Sequence, residues 1–165
     1  MDVSAWNVAI VTTNKFEGKL QTDLLRGAGA RRVSVINDRR IALSEVGQLA
    51  ANIIILAIED NVANSLDWVR DLRRSRRSAA QKANVFLTST HLTMSLAEQC
   101  RRAGANAIIG LPISNATLLN TIHKVLARPR PFIDSDVYVG PCRRAGIVSA
   151  GTGKYRRKSD EQRAA

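Results

Sequence analysis

The side chains able to do chemistry are few and scattered in this chain of 165 residues. Ser89 and His91 stand two apart and His123 lies further along, yet neither histidine completes a serine–histidine–acid signature. The two histidines and two cysteines, Cys100 and Cys142, form no C-x-x-C pair or cluster, which argues against a zinc site and a disulfide framework. Gly151-Thr152-Gly153-Lys154 hints at a phosphate loop. However, Val148 stands where the first glycine of that motif belongs, and Tyr155 follows the lysine. The segment reads as linker. Glu59 and Asp60 are adjacent acids, and two neighbouring carboxylates alone make a poor cation site, so a solvated acidic loop is expected there. No catalytic residue, metal-ligand set or cofactor is expected.

Basic side chains are the exception to this scarcity. The formal net charge is +11. Nine Lys/Arg against four Asp/Glu fall in residues 128–165, and sixteen against ten in the body. Arg73, Arg74, Arg76 and Arg77 cluster at the end of an expected helix, where cations oppose the macrodipole. With Arg143, Arg144, Lys154, Arg156, Arg157 and Lys158 they form a candidate anion-binding surface. Nucleic acid bound there would be held weakly and salt-sensitively, since no aromatic stacking motif or recognition-helix pair accompanies the charge.

The elements that must position these groups are legible as a regular alternation over residues 1–127. Aliphatic runs at Trp6–Thr12, Arg32–Ile36, Asn52–Ile58, Asn84–Ser89 and Asn106–Gly110 read as strands. The unbroken Ile53-Ile54-Ile55-Leu56 suits a central parallel strand covered on both faces. Between them run helical patterns: Lys15–Ala28 with Phe16, Leu20, Leu24 and Leu25; Arg39–Ala51 with Ile41, Leu43, Val46 and Leu49; Ala63–Arg77 with Leu66, Val69 and Leu72. Leu92–Ala103 ends at Gly104, and Ser114 caps a fifth helix carrying Leu118 and Ile122. Five βα units predict an α/β, doubly wound five-stranded parallel sheet with its functional loops beyond the carboxyl ends of the strands. Residues 128–165 open on Arg128-Pro129-Arg130-Pro131, lose periodicity, and read as a basic, mobile tail with Phe132–Tyr138 lying on the domain. The longest apolar run is far too short to cross a bilayer, and the amino terminus lacks a signal-peptide pattern, so the cytoplasm is the expected location.

Several landmarks resemble the CheY-like receiver domain of response regulators over about residues 6–127. Val8–Thr13 resembles its first strand and loop, and Asn52–Leu66 fits the third without a gap. Ala103-Gly104-Ala105 resembles the Ala-Gly-Ala turn, and Leu111-Pro112-Ile113 the Lys-Pro turn. Arg130-Pro131-Phe132-Ile133 and Tyr138–Arg144 resemble the extension of some alphaproteobacterial single-domain receivers. The resemblance implies a flavodoxin-like (βα)5 fold with strand order 2-1-3-4-5. It also implies a phosphorylation pocket, whose positions fall on Thr12, Thr13, Ala57, Ser89 and Leu111. The family places there two metal-binding acids, the acceptor aspartate, a hydroxyl and a lysine. Only Ser89 matches. Hydroxyls lack the charge to hold Mg²⁺, and alanine has no nucleophile.

A degenerate receiver is therefore expected: non-enzymatic, independent of phosphorylation, and acting by binding protein. Receivers commonly use the surface of the fourth helix, fifth strand and fifth helix, which makes Met94, Gln99, Arg102, Ile113 and Asn120 candidate contacts. A signalling kinase or regulator and a second copy of the chain are the candidate partners. The alternative is a basic accessory protein that touches nucleic acid or an anionic surface through its tail.

Overall fold

The computed structural model describes residues 2–59, 61–145 and 148–150. Five parallel strands, β1 (Asn7–Val11), β2 (Arg32–Ile36), β3 (Ile53–Ala57), β4 (Asn84–Ser89) and β5 (Ala107–Gly110), line up in the order 2-1-3-4-5. Helices α1 (Lys15–Gly27), α2 (Arg39–Gln48), α3 (Val62–Arg74), α4 (Met94–Ala103) and α5 (Asn115–Ala127) alternate with them. Every residue of β3 is buried, as its aliphatic run requires. Each helix starts at a side-chain cap: Asn14, Asp38, Asn61, Thr93 and Ser114 each accept a backbone N–H of the first turn. The pleat sends Leu56, Leu87 and Ile108 into one core with Leu66, Val69, Leu72 and Leu96. It sends Ile55, Phe86 and Ile109 into the other with Leu25, Leu118 and Ile122.

Two helices are turned away from the stripe that their spacing suggests. On α1 the buried side chains are Gly18, Gln21 and Leu25, while Phe16 is 76% exposed and Leu20 reaches solvent. The Gln21 amide donates to Glu17 (2.8 Å), and Glu17 accepts from Thr88 of β4 (3.0 Å), so a polar chain lies inward in place of Phe16. Gly18 is needed there, because a Cβ would meet Val35 at 3.0 Å and Thr12 at 3.2 Å. On α2, Ala42 and Val46 are buried, whereas Ile41 and Leu49 are exposed. That helix covers the edge strand β2, where small side chains allow close approach.

Over residues 128–145 and 148–150 the chain beyond α5 is built into the fold, while the rest of the expected mobile tail lies outside the described residues. β6 (Phe132–Asp134) and β7 (Val139–Pro141) form an antiparallel hairpin, followed by a 3₁₀ turn at Arg143–Ala145. β8 (Val148–Ala150) then joins the main sheet as a sixth strand, parallel to β5, with Ala107 opposite Val148 and Ile109 opposite Ala150. Hydrophobic periodicity misses the extension because its strands are three residues long and its anchors are polar. Arg130 donates to the carbonyls of Ala105, Asn106 and Cys142 (3.2, 3.2 and 3.3 Å), and the Tyr138 hydroxyl donates to Pro141 O (2.7 Å). Among the described residues no helix is long and apolar enough to cross a membrane.

Candidate functional site

At the carboxyl ends of β1 and β3 two side chains come together, Glu59 and, from outside the expected residues, Arg39. Glu59, two residues past β3, turns back toward β1. Its Oε1 accepts the Thr13 N–H (2.6 Å) and the Thr12 hydroxyl (3.3 Å), and its Oε2 lies 3.7 Å from Arg39 Nε. Arg39 is the first residue of α2. Its guanidinium donates to the Ala57 carbonyl and to Ser65 Oγ (2.9 Å). The two side chains are 23% and 24% exposed, so the pair is shielded without being sealed. The expectation of a solvated acidic loop therefore fails for Glu59. Asp38 leads Arg39 into position by capping α2 through the Arg40 N–H (2.9 Å). Asp60 lies outside the described residues.

No protein-family model matches the sequence, and no curated protein matches it. Solved structures do match. The chemotaxis protein CheY4 of Vibrio cholerae superposes with a TM-score of 0.65 at 21% identity, over 73% of this chain and 98% of that one. The signal receiver domain of a DNA-binding response regulator from Colwellia psychrerythraea gives 0.64 at 14%, over 74% and 99%. The chain matched in a CheX–CheY–BeF3–Mg complex from Borrelia burgdorferi gives 0.65 at 20%, over 74% and 90%.

The fold is that of a receiver domain.

On this receiver fold the five pocket positions separate. Thr12 is buried at 1% and Ala57 at 4%, while Thr13 is exposed apart from its backbone bond to Glu59. Ser89 is buried but turned onto its own loop: its Oγ accepts the His91 N–H and donates to the His91 carbonyl, both at 3.1 Å. Leu111 is half-buried and holds the Ser89 carbonyl through its N–H (2.8 Å). The metal that receivers use does not fit these residues. Thr12 and Thr13 offer no charge, and the Glu59 carboxylate is already taken by two donors and the Arg39 cation. Among the described residues no three His, Cys, Asp or Glu side chains come together as metal ligands. The histidines stay apart, with His123 packed against the Trp6 ring at 5.1 Å. Burial pushes the Cys100 thiol up to about 12, leaving it inert at neutral pH.

The anticipated partner face also changes. Met94, Gln99, Arg102 and Asn120 are exposed, but Ile113 is half-buried against the α1–α5 core. The free edge of β5, which would form the middle of that face, is paired with β8.

The arginine cluster divides in a way that its spacing conceals. Arg73 is 1% exposed and belongs to the core at the amino end of the sheet. Its guanidinium donates to the carbonyls of Gly104 (3.0 Å), Gln81 (2.7 Å) and Ala83 (2.7 Å), and to Asn106 Oδ1 (2.9 Å). The Phe132 ring of β6 stacks on it at 5.9 Å. Burial lowers its pKa to about 10, still charged at neutral pH. Arg76 pairs with Asp134 of the hairpin (3.1 Å). Arg74, Arg77 and Arg144 are exposed, and Arg143 stacks on Tyr138 at 4.2 Å. Lys154, Arg156, Arg157 and Lys158 lie outside the described residues. Tyr138 itself feels this charge: burial raises its pKa, and Arg73, Arg143, Arg130 and Arg101 pull it back. Arg39 was missed and Glu59 was read only as part of an acidic loop, because the two lie twenty positions apart and meet only in the fold.

Proposed function

We propose that this chain is a signalling or scaffold module on a receiver fold, non-catalytic and independent of phosphorylation, that works by binding protein. One observation carries the reading: the Arg39–Glu59 pair sets the protein's own charges beside the carboxyl ends of β1 and β3. In a phosphorylatable receiver a bound metal and a transferred phosphoryl group supply charge there, and their arrival drives the switch. Here a guanidinium already meets the Ala57 carbonyl and a carboxylate already meets the Thr13 N–H. Phosphoryl transfer to Glu59 would first break its contacts with two donors and a cation. Control then falls to expression or to a partner that binds one conformation better than another.

The exposed side chains of α4 and α5, Met94, Gln99, Arg102 and Asn120, remain the candidate contact surface, with β8 in place of a bare β5 edge. A regulator protein or a second copy of the chain is the proposed partner. The deciding experiment incubates the full chain with a small acyl phosphate and Mg²⁺ and weighs the intact protein. The mass should not change. An acid-labile phosphoryl adduct on Glu59 or Asp60 would overturn the reading. The full chain is required, because β8 and the hairpin pack on the domain that a 1–127 fragment would leave uncovered.

A further inference from the structure

A second arginine-lined feature lies at the opposite end of the sheet, where the carboxyl ends of α3 and α4 meet the β6–β7 hairpin. A cavity of about 90 Å³ is walled there by Arg70 and Arg74 of α3, Arg102 of α4, Arg143, and the hairpin's Tyr138 and Val139. Four guanidiniums and no carboxylate line it. We propose that this cavity binds a single phosphate group, carried free or as the monoester of a small polar molecule.

Three observations support a site over a merely solvated charged face. The first is that three of the four arginines are held in place. Asp67 tethers Arg70 (2.5 Å), Glu98 tethers Arg102 (3.0 Å), and the Tyr138 ring carries Arg143 at 4.2 Å. Arg74 and Arg143 have no carboxylate within ion-pair distance among the described residues, so their charge is uncommitted. Planar, pre-positioned guanidinium forks suit the oxygens of a phosphate.

The second is that several carbonyls around these two helix carboxyl ends are already engaged. Free carbonyls there would repel an anion. Instead Gln81 Nε2 caps the Arg73 carbonyl (2.8 Å), Arg73 takes the Gly104 carbonyl (3.0 Å), and Arg130 takes those of Ala105 and Asn106.

The third is size. The cavity is well below the 300 Å³ or so of a drug-sized pocket, so it fits one charged group and not a whole ligand. It adjoins a wider depression of about 320 Å³ that shares Arg74 and Val139 and is lined by Arg76, Ser135 and Asp136. That depression can receive the uncharged body of a monoester. Its acid, Asp136, makes it a poor track for a second phosphate, which disfavours a nucleic-acid backbone.

The test is a ¹⁵N NMR titration of the full chain with inorganic phosphate and, separately, ribose 5-phosphate, at constant ionic strength set with chloride. Both should give saturable shifts at Arg74, Tyr138, Val139 and Arg143. Arg74→Gln and Arg143→Gln should each weaken binding about fivefold or more, as loss of a charge-assisted contact predicts. Arg77→Gln, an exposed control outside the cavity, should change it less than about twofold. Arg74 is exposed and Arg143 lies at the surface of the extension, so preserved spectral dispersion will separate lost binding from lost folding. Shifts that fail to saturate, or an Arg77→Gln loss as large as the others, would overturn the proposal. So would a DNA duplex that binds the full chain, is not displaced by phosphate and is indifferent to Arg74→Gln. A negative phosphate result leaves the protein-binding reading standing, since the observation that carries that reading, the Arg39–Glu59 pair, lies at the other end of the sheet.

Discussion

The two ends of the sheet each hold an arginine that donates to main-chain carbonyls, yet they use it differently. At the carboxyl end Arg39 reaches the Ala57 carbonyl, faces a carboxylate and is 23% exposed. At the amino end Arg73 is almost wholly buried and bonds only neutral oxygens, three carbonyls and one amide. A charge buried without a counter-ion is tolerated only where its donors are met and removing it would orphan several acceptors. Arg73 is therefore built into the fold. It ties α3 to the turns before β4 and β5, and it offers its face to Phe132 of the hairpin. Arg39 instead faces a carboxylate and stays partly exposed. The contrast sets a buried structural charge at one end against a half-exposed ion pair at the other.

The sharpest way to break this comparison is to truncate both arginines. Arg73→Met takes its donor from the carbonyls of Gln81, Ala83 and Gly104 and leaves Asn106 Oδ1 with only the Val85 N–H, and should cost about 3 kcal/mol or more in urea unfolding. It should also speed amide exchange at Val139 and Gly140, because the hairpin loses its stacking partner. A loss below about 1 kcal/mol would remove the distinction between the ends. Next in size is Gly104→Ala. Gly104 ends α4 with φ +105°, and an added Cβ would sit 3.0 Å from Arg73 Cγ and 3.4 Å from the Val139 carbonyl. The left-handed backbone alone should cost about 1–2 kcal/mol, and the contact should displace Arg73. Arg39→Gln is expected to cost less, about 1 kcal/mol, since it abandons two acceptors where Arg73 abandons more, and the carboxylate it leaves at Glu59 stays partly exposed. Combining Arg39→Gln with Glu59→Gln in a double-mutant cycle measures the pair directly, and a coupling near zero would deny that the two side chains act as a unit.

How far the sequence revealed these ends follows from the range of the signals involved. The Ile53–Leu56 run and the cap residues encode β3 and the helix starts within a few positions, so strand order and topology were readable once five units were seen. That Thr12, Thr13, Ala57 and Leu111 stand where the receiver resemblance places two acids, an acceptor and a lysine was also readable, because those positions are fixed along known elements. The charge pair beside them was not. Arg39 and Glu59 meet across the sheet, and no local pattern marks them. The hairpin stayed hidden for a related reason. Its anchors Arg130 and Tyr138 work through polar bonds to backbone, which leave no hydrophobic period. Arg73 looked like one more surface charge, since its neighbours Arg74, Arg76 and Arg77 are exposed and only tertiary packing singles it out.

The smallest expected effect concerns Glu98, which belongs to the amino end and sharpens the account of its charges. Its carboxylate accepts from Arg101 and Arg102, while Arg101 also donates to the Arg143 carbonyl (2.5 Å), linking α4 to the extension. The Arg101 hydrogen bond, opposed by burial and aided by Arg102, lowers its pKa from the ordinary 4.5 to about 2. A depressed carboxyl pKa contributes stability that is complete above 4.5 and is lost as pH falls through about 2. The Tm of the native chain should therefore fall more steeply over that window than the Tm of Glu98→Gln. The difference will be small, because the site is 28% exposed and screened by salt. The same variant bears on the cavity. Removing a negative charge beside Arg102 raises the local potential, so phosphate should bind Glu98→Gln at least as tightly as the native chain at neutral pH. If binding weakens instead, the tether that holds Arg102 in place matters more than the charge it offers, and the amino end would then recognise anions through rigidity in the same way that it secures Arg73.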